Sequence, residues 1–448
     1  MARNPPPVTM ASTRRHPAAA GLLAVAVLLS GCLGGLQPPS MLAIGRGHAP
    51  SDPATSGRIN PEGGTASPTI ADLSARQSVL PQGSAYARVA GAVISASPGV
   101  EAAELGLARL RSQAAAQNRW PSLSPSLTLD GLAGLAAQLV IDQPLWDNGR
   151  RAAERARATA EVDLAAVTLS SRQNERVFTG LSLYLAAEQA RVQAGIAQGA
   201  AARLDALRQI VSQRVAGGLS DRSEEQIIAQ TVAEMQATLA TDRQTRAQAL
   251  ADLGALANVQ PPEDLIGVTP LSEPPPGEAL SVLRAQAEGQ RTLAEARIAR
   301  AAALPGLSAT AALTQDRATP GLRLGGAQIG LGSPAALAAA DAAPDLVART
   351  TAEAQQSATR RQTELRGRIA QLRTRQAQGA EVLRQTQSNL DLYTEQYRMG
   401  RRSLTELTAQ TAAAARMERD QAALGFEIAR AELELARDAG ALVNGGDL

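Results

Sequence analysis

The chain contains the same helix–turn–helix pattern twice, and this internal duplication is the strongest constraint on its fold. The first copy turns at Gly218 and the second at Gly400. When these two glycines are aligned, Glu224 of the first copy falls on Glu406 of the second, although Gly217 is an alternative partner for Gly400. A fixed internal repeat indicates one structural unit that has been duplicated. The two halves of the chain are therefore expected to fold in the same way.

A segment of alternating residues precedes each long helical pattern. Apolar residues alternate with Ser and Thr after Pro121 and again after Pro305. This period of two is typical of a strand with one apolar face. We expect β-hairpins at 122–141 and 306–332, with the return strand of the second running roughly over 322–331. Two isolated strands are marginal in water, and open sheet edges are not tolerated in lipid. The hairpins would therefore have to close with strands from other copies of the chain.

Helical patterns make up most of the remaining sequence. A short helix is expected roughly over 97–118, before the first hairpin. No Pro occurs between Gly149 and Ala216, and a helix of that length extends about 100 Å. Met417, Leu424 and Ile428 belong to a stripe of three- and four-residue steps that is typical of a coiled-coil seam. The predicted fold class is mainly α, with two β-hairpins and duplicated long antiparallel coiled-coil helices.

Proline-rich and glycine-rich segments divide the chain around these two copies. The predicted organisation is a lipoprotein signal peptide at 1–31, a Pro/Gly-rich arm at 32–85, a first repeat at 86–258, a Pro-rich linker at 259–278, a second repeat at 279–440 and a C-terminal tail at 441–448.

The N-terminus has the features of a bacterial lipoprotein leader. Arg14 and Arg15 precede an apolar run from Ala18 to Leu29, which ends in Ser-Gly-Cys. The run is too short to span a bilayer, which needs roughly 20 residues. We predict cleavage before Cys32 and attachment of lipid to this residue, the only cysteine of the chain. The alternative is a plain signal peptide with an incidental cysteine.

Composition argues against several functional classes. The formal charge of +2 falls to −1 without the leader, which carries three Arg and no acid, and no basic block suggests nucleic-acid binding. Beyond the leader the only histidine is His48, so neither a common zinc site nor a Ser-His-Asp triad is expected. No phosphate-binding glycine motif is present. We expect no cofactor apart from the lipid on Cys32, no metal site and no enzyme activity; an enzyme that uses Asp and Glu alone is the third hypothesis.

The duplicated order of helix, hairpin, long helix, turn and helix resembles the outer-membrane efflux protein family of the TolC type, in its lipid-anchored form. The segment 143–150 and the turn Tyr397-x-x-Gly400-x-x-Ser403 carry the resemblance, which covers nearly all of the mature chain. It implies a homotrimer in the outer membrane whose subunits each give four strands to a shared β-barrel and whose helices form an α-barrel across the periplasm. It further implies two partners, a periplasmic adaptor protein and, through it, an inner-membrane transporter.

The resemblance also implies roles for residues at the helical tips. Tyr397 and Arg402 fall on the tyrosine and arginine of a periplasmic gate, and Ser223 and Glu224 fall on their hydroxyl and acidic partners. Glu406 falls on an acidic ring that lines the entrance. The residues that correspond to the adaptor-docking tips of the family are Gly218, Leu219, Gly400, Ser403 and Leu404.

Each assignment also has a simpler structural explanation. Both turn glycines can be left-handed helix C-caps, which does not compete with docking. Tyr397 can be a half-buried core aromatic residue, and Arg402 and Glu406 can form an exposed pair within one chain. Trp146 is expected to pack at the base of the barrel or to anchor it at the membrane interface.

The predicted function is the exit duct of a tripartite efflux pump or a type I secretion system. The alternative is a lipid-anchored periplasmic coiled-coil scaffold without a pore.

Overall fold

A computed structural model describes residues 67–129, 135–258, 266–314, 317–325, 330 and 332–447. The predicted signal peptide, Cys32 with its lipid, and most of the predicted arm at 32–85 lie outside the described residues. The first part of the predicted linker at 259–278 lies outside them as well.

Two hairpins of strands are set between helices of very different lengths. In chain order the elements are α1 (Pro68–Ala75), α2 (Ala85–Ser95), α3 (Val100–Ala116), β1 (Ser122–Leu129), β2 (Leu135–Trp146), α4 (Arg150–Ala216), α5 (Arg222–Ala257), α6 (Leu280–Ala302), β3 (Gly306–Leu313), β4 (Ala318–Gly325), α7 (Ser333–Arg398) and α8 (Leu404–Asp438).

From each β-hairpin onward, the two halves of the chain match element by element. A helix of 67 residues, α4, and one of 36, α5, follow the first hairpin. A helix of 66 residues, α7, and one of 35, α8, follow the second. The predicted mainly α fold with two β-hairpins is therefore confirmed. None of the helices described combines the length and the apolar character needed to cross a membrane.

Several predicted boundaries differ from those observed. The arm at 32–85 contains α1, because Ser67 accepts a hydrogen bond from the Thr69 backbone and Pro68 fits the first turn. The short helix expected roughly over 97–118 is observed as α3, which begins after the left-handed Gly99, but α2 before it was not predicted. The first hairpin extends to Trp146 rather than to residue 141, and the last strand begins at Ala318 rather than at residue 322.

The four strands form one antiparallel sheet in the order β1-β2-β3-β4, so the two hairpins are joined through β2 and β3. Leu123, Ile141, Ala311 and Pro320 form one row across the sheet. The adjacent row contains Ser122, Asp142, Thr310 and Gly321. Because side chains alternate between the faces of a sheet, one face is mainly apolar and the other mainly polar. The outer edges of β1 and β4 have no partner strand within the described chain.

A hydrophobic core joins α2, α4 and α8 to the end of the chain. The rings of Tyr86 and Tyr184 meet edge to face at 5.9 Å, and both residues are buried. Burial, together with the charge of nearby Glu188, raises the pKa of Tyr184 to about 12. The predicted tail at 441–448 enters this core, where the buried Asn174 side chain accepts a hydrogen bond from the Leu442 backbone at 2.9 Å.

Candidate functional site at the helical tips

The first turn is a Schellman motif centred on Gly218. Its φ of 71° is left-handed, a conformation that glycine adopts without steric cost. The Gly218 N–H donates to the Val215 carbonyl at 3.1 Å, and the Leu219 N–H donates to the Arg214 carbonyl at 2.8 Å. These two bonds satisfy carbonyl groups that the end of α4 would otherwise leave free.

The second turn repeats this geometry at Gly400. Its φ is also 71°, its N–H donates to the Tyr397 carbonyl at 2.9 Å, and the Arg401 N–H donates to the Gln396 carbonyl at 2.8 Å. Gly217, by contrast, has a φ of −84°. Gly218, and not Gly217, is therefore the counterpart of Gly400.

The helix after each turn begins with a side-chain cap at an equivalent position. Asp221 accepts a hydrogen bond from the Ser223 N–H, which holds the pKa of the Asp221 carboxyl below its usual value. Ser403 accepts from the Glu406 N–H at 3.2 Å, and the Glu406 carboxylate accepts from the Ser403 N–H at 3.3 Å. This reciprocal pair is a capping box. Backbone and side chains together therefore fix the path of both turns.

The two tips pack against each other through a small apolar cluster, which we call the tip cluster. It consists of buried Val211, Ile228 and Leu404, with Tyr397 at its side. Leu404 is 3% exposed, whereas Leu219 is 81% exposed. Leu219 is therefore accessible for the predicted docking. Leu404 is not, because it packs the helical hairpin of α7 and α8 against the helical hairpin of α4 and α5.

Tyr397, at the end of α7, contacts the helical hairpin of α4 and α5 in its own chain. It is half-buried beside the tip cluster, and the Arg214 guanidinium lies 5.9 Å from the centre of its ring. Such a cation–π contact at an exposed site contributes about 0.5–1 kcal/mol. Tyr397 is thus placed as a half-buried core aromatic residue, the simpler explanation given above, and it has an additional contact with the charge of Arg214.

Arg402 is held by three residues of its own hairpin. Its Nε donates to Gln396 Oε1 at 3.0 Å, its Nη1 lies 3.4 Å from Glu406 Oε1, and its guanidinium stacks 4.6 Å from the centre of the Tyr393 ring. Within the described residues, no hydrogen bond or ion pair joins Arg402 to Ser223 or Glu224. The predicted gate contacts of Arg402 with Ser223 and Glu224 stay a prediction, and the pair with Glu406 forms within one chain.

Solved structures of outer-membrane proteins share this architecture. The channel OprN superposes with a TM-score of 0.68 at 16% identity, covering 80% of this chain and 90% of that one. VceC from Vibrio cholerae gives 0.68 at 14% identity, over 79% of this chain and 96% of its own. The open state of MtrE from Neisseria gonorrhoeae gives 0.65 at 16% identity, over 81% and 90%.

The chain has the fold of a TolC-type outer-membrane channel. No protein-family model and no curated protein matches its sequence. The likeness therefore rests on the fold that these solved structures share with it.

Sequence reasoning missed Arg214 and Tyr393, the two residues that complete the arginine–tyrosine contacts of the TolC-type tips. Tyr393 precedes Tyr397 by four residues, so it could have been placed on the same face of α7 from spacing alone. The contact of Arg214 could not have been placed in this way, because it depends on how the two helical hairpins lie side by side.

A second polar contact joins the two repeats farther along the hairpins. Arg419 of α8 pairs with Asp242 of α5 through both terminal guanidinium nitrogens, Nη1 and Nη2. It also donates to the Gln193 carbonyl of α4 at 2.8 Å. The two side chains are 17% and 10% exposed. Because a nearly buried charge is stable only when it is paired, this contact fixes the first hairpin against the second.

The described residues offer little to a metal ion. They contain no cluster of three or more His, Cys, Asp or Glu side chains that could hold one.

Proposed function

We propose that the protein is the outer-membrane channel of a tripartite efflux pump or a type I secretion system, a passive exit duct rather than an enzyme. The observation that carries this proposal is the sheet. Both hairpins, distant in sequence, join into four adjacent strands with one mainly apolar face and two edges that have no partner strand among the described residues. A periplasmic scaffold has no use for such a sheet, whereas strands that close with those of other subunits can enter a membrane.

The proposed assembly is a homotrimer. Four strands from each subunit form the membrane barrel, with the apolar rows toward lipid and the polar rows toward the lumen. The long helices form the wall of the duct in the periplasm. Solved structures with this fold include outer-membrane channels, which supports the same arrangement here.

The proposed partners are a periplasmic adaptor and, through it, an inner-membrane transporter. Leu219 supports adaptor docking, because an 81% exposed leucine at the end of a rigid turn is an apolar contact point. The lipid on Cys32 is proposed to hold the assembly in the outer membrane. Cells that express Cys32→Ser should incorporate no labelled fatty acid into this protein.

The test of the channel is planar-bilayer conductance of the purified protein, beside Arg402→Ala. Arg402 holds Gln396, Tyr393 and Glu406 together, so its loss should loosen the tip and enlarge small or flickering openings. The matched control is Arg368→Ala, an exposed arginine in the middle of α7. An assembled trimer that never conducts would favour the non-porous scaffold. Conductance that is the same in all three proteins would retain the channel and remove Arg402 from the gate.

A further inference from the structure

A groove of about 670 Å³ lies where the sheet meets the helices. It is bounded by the end of β2, the start of α4 and the end of α6, and its lining includes Leu145, Trp146, Ala152, Arg297, Arg300 and Leu304. Its lining is mainly apolar and includes the side chains of two arginines. Such a groove suits a ligand with an apolar body and an anionic end.

Trp146 presents a large apolar surface at this groove. The residue is 66% exposed, and adjacent Leu145 is 56% exposed. The indole N–H donates to Asn148 Oδ1 at 3.1 Å, and the Asn148 amide donates to the Pro305 carbonyl at 2.9 Å. The ring is therefore held in place with its polar group satisfied, as is typical of tryptophan at the boundary between water and hydrocarbon.

The position of Trp146 in the sheet indicates what it faces. Trp146, Leu307 and Leu324 form one row across β2, β3 and β4, although β2 has an irregularity just before Trp146. Leu322 and Leu324 are 72% and 77% exposed, and both lie on the mainly apolar face. The groove is thus continuous with the surface that the proposed barrel turns toward lipid.

Among the described residues, the charges of the groove leave Arg297 without an ionic partner. Arg300 pairs with Asp341 at 2.6 Å. The Asp147 carboxylate accepts hydrogen bonds from the backbone of Gly149 and of Arg151, both at 3.0 Å. Arg297 is exposed and forms no ion pair among the described residues. Its guanidinium can therefore receive a phosphate oxygen, for which arginine is well suited.

We propose that this groove binds an anionic phospholipid of the surrounding bilayer, with the phosphate at Arg297 and the acyl chains against Leu145 and Trp146. The inference rests on the proposed function, since a bilayer reaches this level of the molecule only if the sheet enters it. Beyond the proposed channel, it specifies a class of lipid and the site at the base of the barrel where that lipid binds.

The composition of the chain makes a direct test possible. Its only two tryptophans are Trp120 and Trp146, so Trp120→Phe leaves Trp146 as the single indole fluorophore. The full mature protein with this substitution would be placed in phosphatidylcholine vesicles that contain an equal fraction of either brominated phosphatidylglycerol or brominated phosphatidylcholine. Bromine quenches tryptophan only on contact. Ion flux and flotation with the vesicles, measured on the same samples, report insertion separately.

We expect about fivefold stronger apparent binding of the brominated phosphatidylglycerol, the effect of one basic residue at an anionic membrane surface. Arg297→Gln should reduce the ratio to about one and leave ion flux unchanged, because the charge that selects the anionic headgroup is gone. Arg368→Gln, which removes an exposed arginine roughly 50 Å along α7 from the sheet, should retain the preference.

Three results would overturn the inference. Equal quenching by both lipids would show that no anionic headgroup is selected, and a preference unchanged in Arg297→Gln would place the phosphate elsewhere. Quenching by neither lipid in a conducting sample would show that protein covers the groove. Absence of both insertion and ion flux would instead reject the proposed function, and the lipid site with it.

Discussion

Gly289 and Gly195 are both helical glycines, but their surroundings give them different roles. A Cβ atom at Gly289 would lie 2.6 Å from Cγ1 of Val347, so α6 approaches α7 there at a distance that only glycine permits. A Cβ atom at Gly195 in α4 would meet nothing within 4 Å. One glycine therefore allows two helices to pack closely, and the other only weakens its own helix.

The two glycines should respond in opposite directions to alanine. Gly289→Ala forces Val347 or the helix backbone to move, so we expect a loss of about 1–3 kcal/mol in the free energy of unfolding. Gly195→Ala should gain about 0.5–1 kcal/mol, because alanine loses less backbone entropy in a helix. Denaturant unfolding of both variants beside the wild type measures the difference. Equal effects of the two substitutions would contradict the close packing of α6 on α7.

Asp163 of α4 is a residue whose charge opposes folding. One of its carboxylate oxygens is buried without a hydrogen-bond partner, and burial raises the pKa of this carboxyl above its ordinary 3.8, despite an opposite and smaller effect of the Ser67 hydroxyl. At pH 7 the group is ionised in the unfolded chain and must be desolvated in the folded one. Folding is therefore penalised at neutral pH, and the penalty fades as the pH falls toward 3.8.

Asp163→Asn should raise the melting temperature at pH 7 and have a smaller effect near pH 4, because protonation removes the same charge. Thermal unfolding at the two pH values measures this dependence. Exposed Asp345→Asn serves as the control with no expected gain. A stabilisation by Asp163→Asn that grows as the pH falls would reject the assignment.

At the scale of elements, the contact of Arg419 with Asp242 decides how the two helical hairpins are fixed together. Asp242→Asn should cost about 3 kcal/mol, since it leaves the Arg419 charge nearly buried and unpaired. Asp345→Asn breaks the exposed pair with Arg349, in which both side chains are at least 70% exposed, and should cost less than about 1 kcal/mol. Chemical denaturation compares the two. Costs of similar size would show that the buried pair carries no special weight.

The elements that repeat were the most predictable from sequence. The long helix expected from Gly149 to Ala216 is observed from Arg150 to Ala216, because no Pro interrupts it. Helix α1 was missed because the Pro-rich and Ser-rich composition of the arm concealed a capped start at Ser67 and Pro68. That signal was local and could have been read.

The tips were predictable in their backbone and less so in their side chains. The left-handed C-cap predicted at Gly400 is observed. The capping box of Ser403 and Glu406 was not predicted, although its three-residue spacing is visible in the sequence. The burial of Leu404 and the contact of Arg214 with Tyr397 depend on the lateral packing of two hairpins far apart in sequence. No local pattern specifies that packing.

At the scale of the whole molecule, the edges of β1 and β4, which are unpaired in the part of the chain that the structure describes, require a partner. If subunits close a barrel, β1 of one lies beside β4 of the next. Ser124→Cys combined with Thr319→Cys should then give covalent dimers and trimers with a short bis-maleimide reagent in membranes. The protein with only Cys32 should give none, because the predicted lipid occupies its thiol.

A matched pair within the sheet separates contacts between subunits from those within one. Val140 and Ala312 lie in the same row as Ser124 and Thr319, but on the inner strands β2 and β3. Val140→Cys with Ala312→Cys should react only within a subunit and give no oligomer on a denaturing gel. Absence of oligomers from the edge pair, with efficient reaction of the inner pair, would contradict closure between subunits.

The backbone hydrogen-bonding groups of the two turns are satisfied by the Schellman bonds and by the caps that follow. Few backbone groups are therefore available for hydrogen bonds to an adaptor, so recognition at the tips depends on exposed side chains. Leu219 and Arg401 occupy the same place in the two turns, one apolar and one cationic, on the same backbone. In evolutionary terms, the exposed side chains of the turn can change while its backbone conformation stays the same. The duplication has already produced two such surfaces in a single subunit.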